Sequence, residues 1–284
     1  MPLVTTWSEA MGIAVPIVNA PMGGAAGGRL AAAVSRAGGL GMIGMGSSAS
    51  ADALRHELAV LGDLDLPFGI GLVHWVMQGD PELFDVALAA RPALLSVSFG
   101  DDWSWVRRAH DAGVTVVTQI ADPTAARRAV DAGVDVLVAR GAEGGGHGEP
   151  AMGTLPLLTE VLDAVDVPVL AAGGISSARG LAAVLAAGAA GGWLGTVFST
   201  CQEALTPGPA RAELLDAAGD ATELTREFDV AAGYRWPANI PERVLRGTPV
   251  NAGQGVGVLR QSIGAAELVT GLRDGALDLL SRWS

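Results

Sequence analysis

The sequence predicts a parallel (β/α)8 TIM barrel. Three observations point there. Eight short apolar runs alternate with seven longer helix-patterned stretches. The runs are apolar at nearly every position, as strands covered on both faces must be. The chain has 284 residues, half of them apolar and 17% charged, a common size for this architecture.

The strands are expected at 15–20, 40–44, 67–73, 93–99, 114–120, 134–139, 168–172 and 191–196. Helices are expected between them at 28–37, 49–61, 81–90, 103–112, 123–132, 155–165 and 177–187. Asp111-Ala-Gly-Val114 and Asp131-Ala-Gly-Val134 form a weak internal repeat, each ending a helix and opening a strand. Glycine suits that joint because a helix often terminates in a left-handed residue. Residues 206–249 hold Pro207, Pro209, Pro237, Pro241 and Pro249, too many for a regular array. They read as an irregular excursion, roughly 206–260, lying over the barrel and followed by a closing helix at 265–280. The whole chain, 1–284, is expected to be one domain. An open doubly wound sheet is the competing fold. The Gly-rich stretch after the first strand lacks the dinucleotide-binding spacing, and the second strand ends without an acid.

A net charge of −12 excludes a general affinity for polyanions. The chain contains no Lys; all its positive charge is Arg. Cys201 is the single cysteine, so an intrachain disulfide and a multi-thiolate zinc site are both excluded, and the thiol is read as inert. The first ten residues lack a secretion-signal pattern, and the apolar stretch 180–198 is too broken by glycine for a membrane span. A cytoplasmic setting is expected.

The densest chemical signal is Ala139-Arg140-Gly-Ala-Glu143-Gly-Gly145-Gly-His147, directly after the sixth strand. Barrel active sites lie at the carboxyl ends of the strands. Bare glycines let a flat ligand approach the backbone, and a histidine there suits proton abstraction. His147 is therefore the candidate catalytic base. His74, after the third strand, could line the same mouth; His56 and His110 read as solvated helical positions. No pair of histidines is spaced for a metal. The loops after strands seven and eight carry Gly173-Gly174 and Trp193-Leu194-Gly195-Thr196. That is where barrels commonly build a phosphate site from backbone amides. At the end of the first strand, Ala20-Pro21-Met22-Gly23 offers an apolar contact for a planar ring. A phosphate grip, a flat glycine-lined surface, an apolar ring contact and a titratable base together match the layout of FMN.

Taken in order, these stretches resemble the nitronate monooxygenase family, formerly the 2-nitropropane dioxygenases. The resemblance covers Pro16–Met22 with Ala33–Leu40, Gly141–His147, Pro168–Ile175 and Gly191–Phe198, and the late Ala252–Val256 is similar as well. It implies an FMN-dependent flavoprotein that oxidises nitronates or similar activated carbon acids with molecular oxygen, His147 serving as base. It also implies that Gly145 lies beside the flavin, that Gly173 and Gly174 form a phosphate turn with 193–196 as the second, and that the Met22 amide lies near the flavin N5. Four positions depart from the pattern: Arg140 and Trp193 stand where the family usually has Gln, Gly71 where it has Asn and Gly144 where it has Ala, and the stretch from His147 to Gly153-Thr154 is shorter than in many relatives. Arg140 is read as a fixed charge able to meet an anionic substrate or the flavin edge. The implied partners are a small-molecule substrate and oxygen, with no nucleic acid or membrane, and a homodimer is allowed. Two alternatives remain open: an enoyl-thioester reductase using NAD(P)H, and a non-catalytic flavin-binding barrel.

Overall fold

The computed structural model describes residues 2–282. Eight parallel strands form the barrel: Ile17–Asn19, Gly41–Met45, Phe68–Val73, Leu94–Ser98, Thr115–Ile120, Val136–Arg140, Val169–Ala172 and Gly191–Leu194. Each expected strand is present; seven are shorter by one to three residues, and the second keeps five residues, shifted by one. In sheet order the first strand pairs with the eighth, and the series runs back to the second. A parallel bridge between Val18 and Leu40 joins the two ends.

The alternation of a pleated strand divides the core into two layers. Val136 and Val138 point into the barrel with Val18, Leu40, Met42, Leu94, Leu170 and Trp193. Leu137 and Ala139, their immediate neighbours, pack outward against the helices. Trp7 and Ile13, from the short helix Thr6–Ala10 and the turn after it, plug the interior from the amino-terminal side. The seven expected helices occur, each ending a few residues short of its predicted limit at most. Both repeat glycines take the left-handed conformation, φ +74° at Gly113 and +93° at Gly133. In each case the next residue's amide returns to the helix at 3.0 Å, from Val114 to Ala109 and from Val134 to Ala129.

The excursion departs from expectation. It holds two helices, Gly208–Asp216 and Glu227–Ala232, and two strands, Thr222–Thr225 and Glu242–Leu245. The second strand pairs antiparallel with Gly146–His147 of the glycine loop, giving a three-stranded sheet over the barrel mouth. Its proline content breaks the helical array without preventing strand pairing, because the prolines fall outside the paired residues. The helix Ala265–Ser281 closes the chain and packs on Ala178–Ala186. Among the described residues no helix is long and apolar enough to cross a membrane.

Candidate active site

A cavity of about 650 Å³ opens at the carboxyl rim of the barrel, beneath the small sheet. Its walls come from the loops after nearly every strand and from the excursion. The loops after the first two strands meet so closely that a Cβ on Gly23 would lie 2.5 Å from the Gly46 Cα. Ala20, Pro21, Met22 and Gly23 line one wall. The Met22 amide, expected to be available to a ligand, turns back onto the Ala20 carbonyl at 2.9 Å. Met22 thus presents its side chain, with the thioether against Gly195. Gly71 is required by Pro21: a Cβ there would sit 2.3 Å from two atoms of the proline ring.

His147 projects into this cavity from its two-residue strand. Its Nε2 lies 2.8 Å from Asp229 Oδ2, with the two side chains 13% and 7% exposed. The imidazole stacks on the Trp236 indole, ring centres 3.5 Å apart and planes within 7°. Trp236 is fixed in turn by donating from Nε1 to Ser47 Oγ at 2.9 Å and by edge-on contacts with Phe99 and Trp75. Phe99 is held at φ +70°, a conformation costly for a bulky residue, so the fold imposes this wall of the cavity. Burial pushes the His147 pKa below its ordinary value; the bond to Asp229 opposes that shift and the charge of Arg140 adds to it. The imidazole is therefore neutral at neutral pH. With Nε2–H donated to Asp229, Nδ1 carries the free lone pair.

Arg140 does not reach out to a ligand. Its Nη2 donates to the carbonyls of Gly144, Gly145 and Gly146 at 2.7, 3.2 and 3.0 Å. The guanidinium, 4% exposed, is a clamp inside the glycine loop. Desolvation and the neighbouring Arg243 lower its pKa to about 10, which leaves it charged. Gly144 and Gly148 are bare because side chains there would strike Arg140, and Gly145 because a Cβ would meet the Gly253 amide at 2.5 Å. Glu143 faces backward, accepting from the Thr154 amide and hydroxyl at 2.9 and 2.8 Å.

After the seventh strand Gly173 and Gly174 turn with φ of +111° and +67°. Gly195 and Thr196 follow the neighbouring eighth strand, so the two turns lie side by side on the rim, and Trp193 lines the cavity with them. The amides of Gly174 and Gly195 have no backbone acceptor among the described residues. The Thr196 hydroxyl accepts from the Gly253 amide at 2.9 Å and keeps its own proton to donate. A pair of unspent amides and a hydroxyl suits a phosphate. Trp193, 6% exposed, also fills the barrel interior, which explains a bulky apolar residue at that position. Leu194 is the exception among the expected site residues. It is packed between sheet and helices and does not line the cavity; the pleat points it away from its neighbour Trp193.

His74 is likewise outside the cavity, buried at the start of the helix His74–Gly79. His56 is exposed, and His110 is exposed and paired with Asp135. Cys201 is buried, its thiol pushed up to about 12 by desolvation, which makes it unreactive. Sequence reasoning missed Asp229, Trp236 and Glu242. All three lie in the proline-rich excursion, where no periodicity or spacing marks them. Glu242 sits directly opposite His147 in the strand register. Gly253 and Gly255 also line the cavity, and the Gly-Gln-Gly spacing was the available signal for them.

Comparison with known proteins agrees with this geometry. The sequence profile of nitronate monooxygenases matches residues 5–82 and 72–235. A hydroxy-methyl-oxo-octahydroindene-carboxyl-CoA dehydrogenase of Rhodococcus jostii is 34% identical over 267 residues, spanning 93% of this chain and 72% of its own. FabK from Thermotoga maritima superposes with a TM-score of 0.88 at 27% identity, covering 98% of each chain. The nitroalkane oxidase of Streptomyces ansochromogenes superposes with a TM-score of 0.84 at 29% identity, covering 98% of this chain and 100% of its own.

Proposed function

The chain belongs to the nitronate monooxygenase family and is a flavin oxidoreductase; from that premise we propose that it binds FMN at the barrel rim and oxidises nitronates, or similarly small activated carbon acids, with molecular oxygen. The observation that best supports this is His147: a neutral imidazole inside the cavity, with one nitrogen engaged by Asp229 and the other unbonded. FMN, when bound, supplies the electron sink and the site of reoxidation by oxygen.

The side chains present fit that group. Gly173, Gly174, Gly195 and Thr196 would hold its phosphate through unspent donors. The wall of Ala20, Pro21, Met22, Gly23 and Gly71, together with Gly145 opposite, would border its ring. Where the substrate enters as the neutral carbon acid, His147 takes the proton from its carbon at Nδ1. Asp229 fixes the tautomer and stabilises the imidazolium that forms, as a buried carboxylate does for any catalytic histidine it faces. Trp236 keeps the ring from rotating away, and the small sheet keeps bulk water off the reacting atoms.

The test is the absorption spectrum of the purified protein, followed anaerobically. Addition of a nitronate is expected to bleach a bound flavin, and air to restore it. A protein that is colourless and indifferent to added FMN would overturn the reading. A second reading draws support from the relative named as a carboxyl-CoA dehydrogenase. On it the carbon acid is an acyl thioester, or the reaction runs as reduction of an enoyl thioester with NAD(P)H. Rapid anaerobic bleaching by NADPH, with none by nitronates, would select that reading.

A further inference from the structure

Two carboxylates and an imidazole are packed together at the cavity wall. One oxygen each from Asp229 and Glu242 and one ring nitrogen of His147 all lie within 4.8 Å of one another. Glu242 is 4% and Asp229 6% exposed. Strand pairing enforces the arrangement. Glu242 is the residue opposite His147, and directly opposed residues project from the same face of a sheet. Asp229 reaches in from the helix Glu227–Ala232 and bonds His147. One oxygen of Glu242, Oε1, is buried without a partner.

A buried carboxylate oxygen lacking a donor is costly when charged and tolerable when protonated. With both carboxylates ionised and the imidazole neutral, the cluster would hold two negative charges. One positive charge stands near: Arg140 spends Nη2 on neutral loop carbonyls, keeps a buried Nη1 without a partner, and acts on His147, so it offsets at most one of the two. Arg243 donates to the Ala142 carbonyl and Thr222 on the far side of the strand. Glu223 on the third strand of the sheet is engaged at its edge by the Gly247 amide.

We propose that Glu242 is a positioning residue that shares one proton with His147 across the Asp229 carboxylate, so that the charge on Glu242 sets how strongly His147 holds a proton. The inference rests on reading His147 as the base. In the resting state the shared proton sits on Glu242 and His147 is free to accept. When His147 takes a proton from the substrate carbon, Glu242 releases its own to cavity water. The imidazolium is then flanked by two carboxylates. Return of a proton to Glu242 weakens that hold, and His147 gives up the substrate's proton. Burial and the adjacent Asp229 raise the Glu242 carboxyl to about 7, in keeping with a proton retained at neutral pH.

A divalent cation is the other way to balance such a cluster. Arg140, which disfavours positive charge on His147, argues against it, as does a 2.8 Å contact of proton-bridged length between His147 and Asp229.

The test follows His147 itself by nitrogen NMR of the histidine-labelled holoprotein, assigned with His147→Gln. In the wild type the His147 resonance is expected to titrate in two steps, because coupled groups ionise as a pair. In Glu242→Gln it should titrate in one, displaced downward by roughly one to two pH units, the effect of removing a unit charge about 5 Å away. Glu242→Asp should restore the two steps. If Glu242→Gln does not fold, infrared difference spectra of the wild type across neutral pH must show loss of a protonated-carboxyl band. Identical His147 titration in wild type and Glu242→Gln, absence of that band, or one equivalent of metal released from the purified protein would each overturn the proposal. None of these readouts requires turnover. A two-step titration in a protein inert to nitronates would therefore leave the proton sharing standing and remove the function assigned above.

Discussion

The imidazole of His147 is held by three contacts of different kinds, and each gives a separable prediction. Replacing it with Ala should lower the rate of proton abstraction from nitroalkanes by about 10²–10⁴-fold, the usual worth of a positioned base, measured as anaerobic bleaching by the neutral substrate. A preformed nitronate has already lost its proton and should be less affected. Because burial lowers the His147 pKa, the acid limb of kcat/KM should fall below the ordinary histidine value. Glu242 carries the opposite sign. A carboxyl raised from 4.5 to about 7 in the fold stabilises the protein fully below 4.5, and that contribution drains away as pH rises to 7. Glu242→Gln should therefore raise Tm at pH 8 by more than at pH 5, with an upper bound of about 3 kcal/mol in the difference. At this scale His147 was legible in the sequence, because it ends a glycine run at a strand's carboxyl end. Asp229 and Glu242 were not, since each acquires its role from a partner more than eighty residues away in the chain.

Elements were legible to the degree that their pattern is local. Strands buried on both faces betray themselves as unbroken apolar runs, and the repeat glycines mark where helices stop. The strand Gly146–His147 has two residues and no period, and its partner Glu242–Leu245 lies between prolines. Only tertiary contact makes either a strand. The same loop explains why Gly145 tolerates nothing larger. Gly145→Ala would drive a methyl to within 2.5 Å of the Gly253 amide, which must move. The expected outcome is a loss of about 1–3 kcal/mol in denaturant unfolding together with weaker flavin retention, since the 252–255 segment borders the cavity. Gly71→Asn should be harmful here, because any Cβ at that position meets the Pro21 ring at 2.3 Å.

At the scale of the whole molecule, the barrel follows from composition, alternation and chain length, while the roof over its mouth depends on pairings that no local pattern announces. The fold was therefore readable from Ile17 to Leu194, and the site only in the half that the barrel loops supply. If those loops and the roof jointly grip a cofactor, saturating FMN should stabilise the native state. At a hundredfold excess over Kd the gain is about 2.7 kcal/mol, a rise of roughly 5 °C in Tm. A thermal melt with and without added FMN checks it.

The bond from the Gly253 amide to Thr196, with Asp229 and Glu242 also downstream of the last barrel strand, has a temporal consequence. During synthesis the eight strands leave the ribosome before any of these residues exist. The half of the cavity supplied by the excursion is therefore completed last, once the final quarter of the polypeptide has emerged. Chains arrested or clipped near residue 206 would lack Asp229, Glu242 and Gly253, and with them the helix Ala265–Ser281 that packs on Ala178–Ala186.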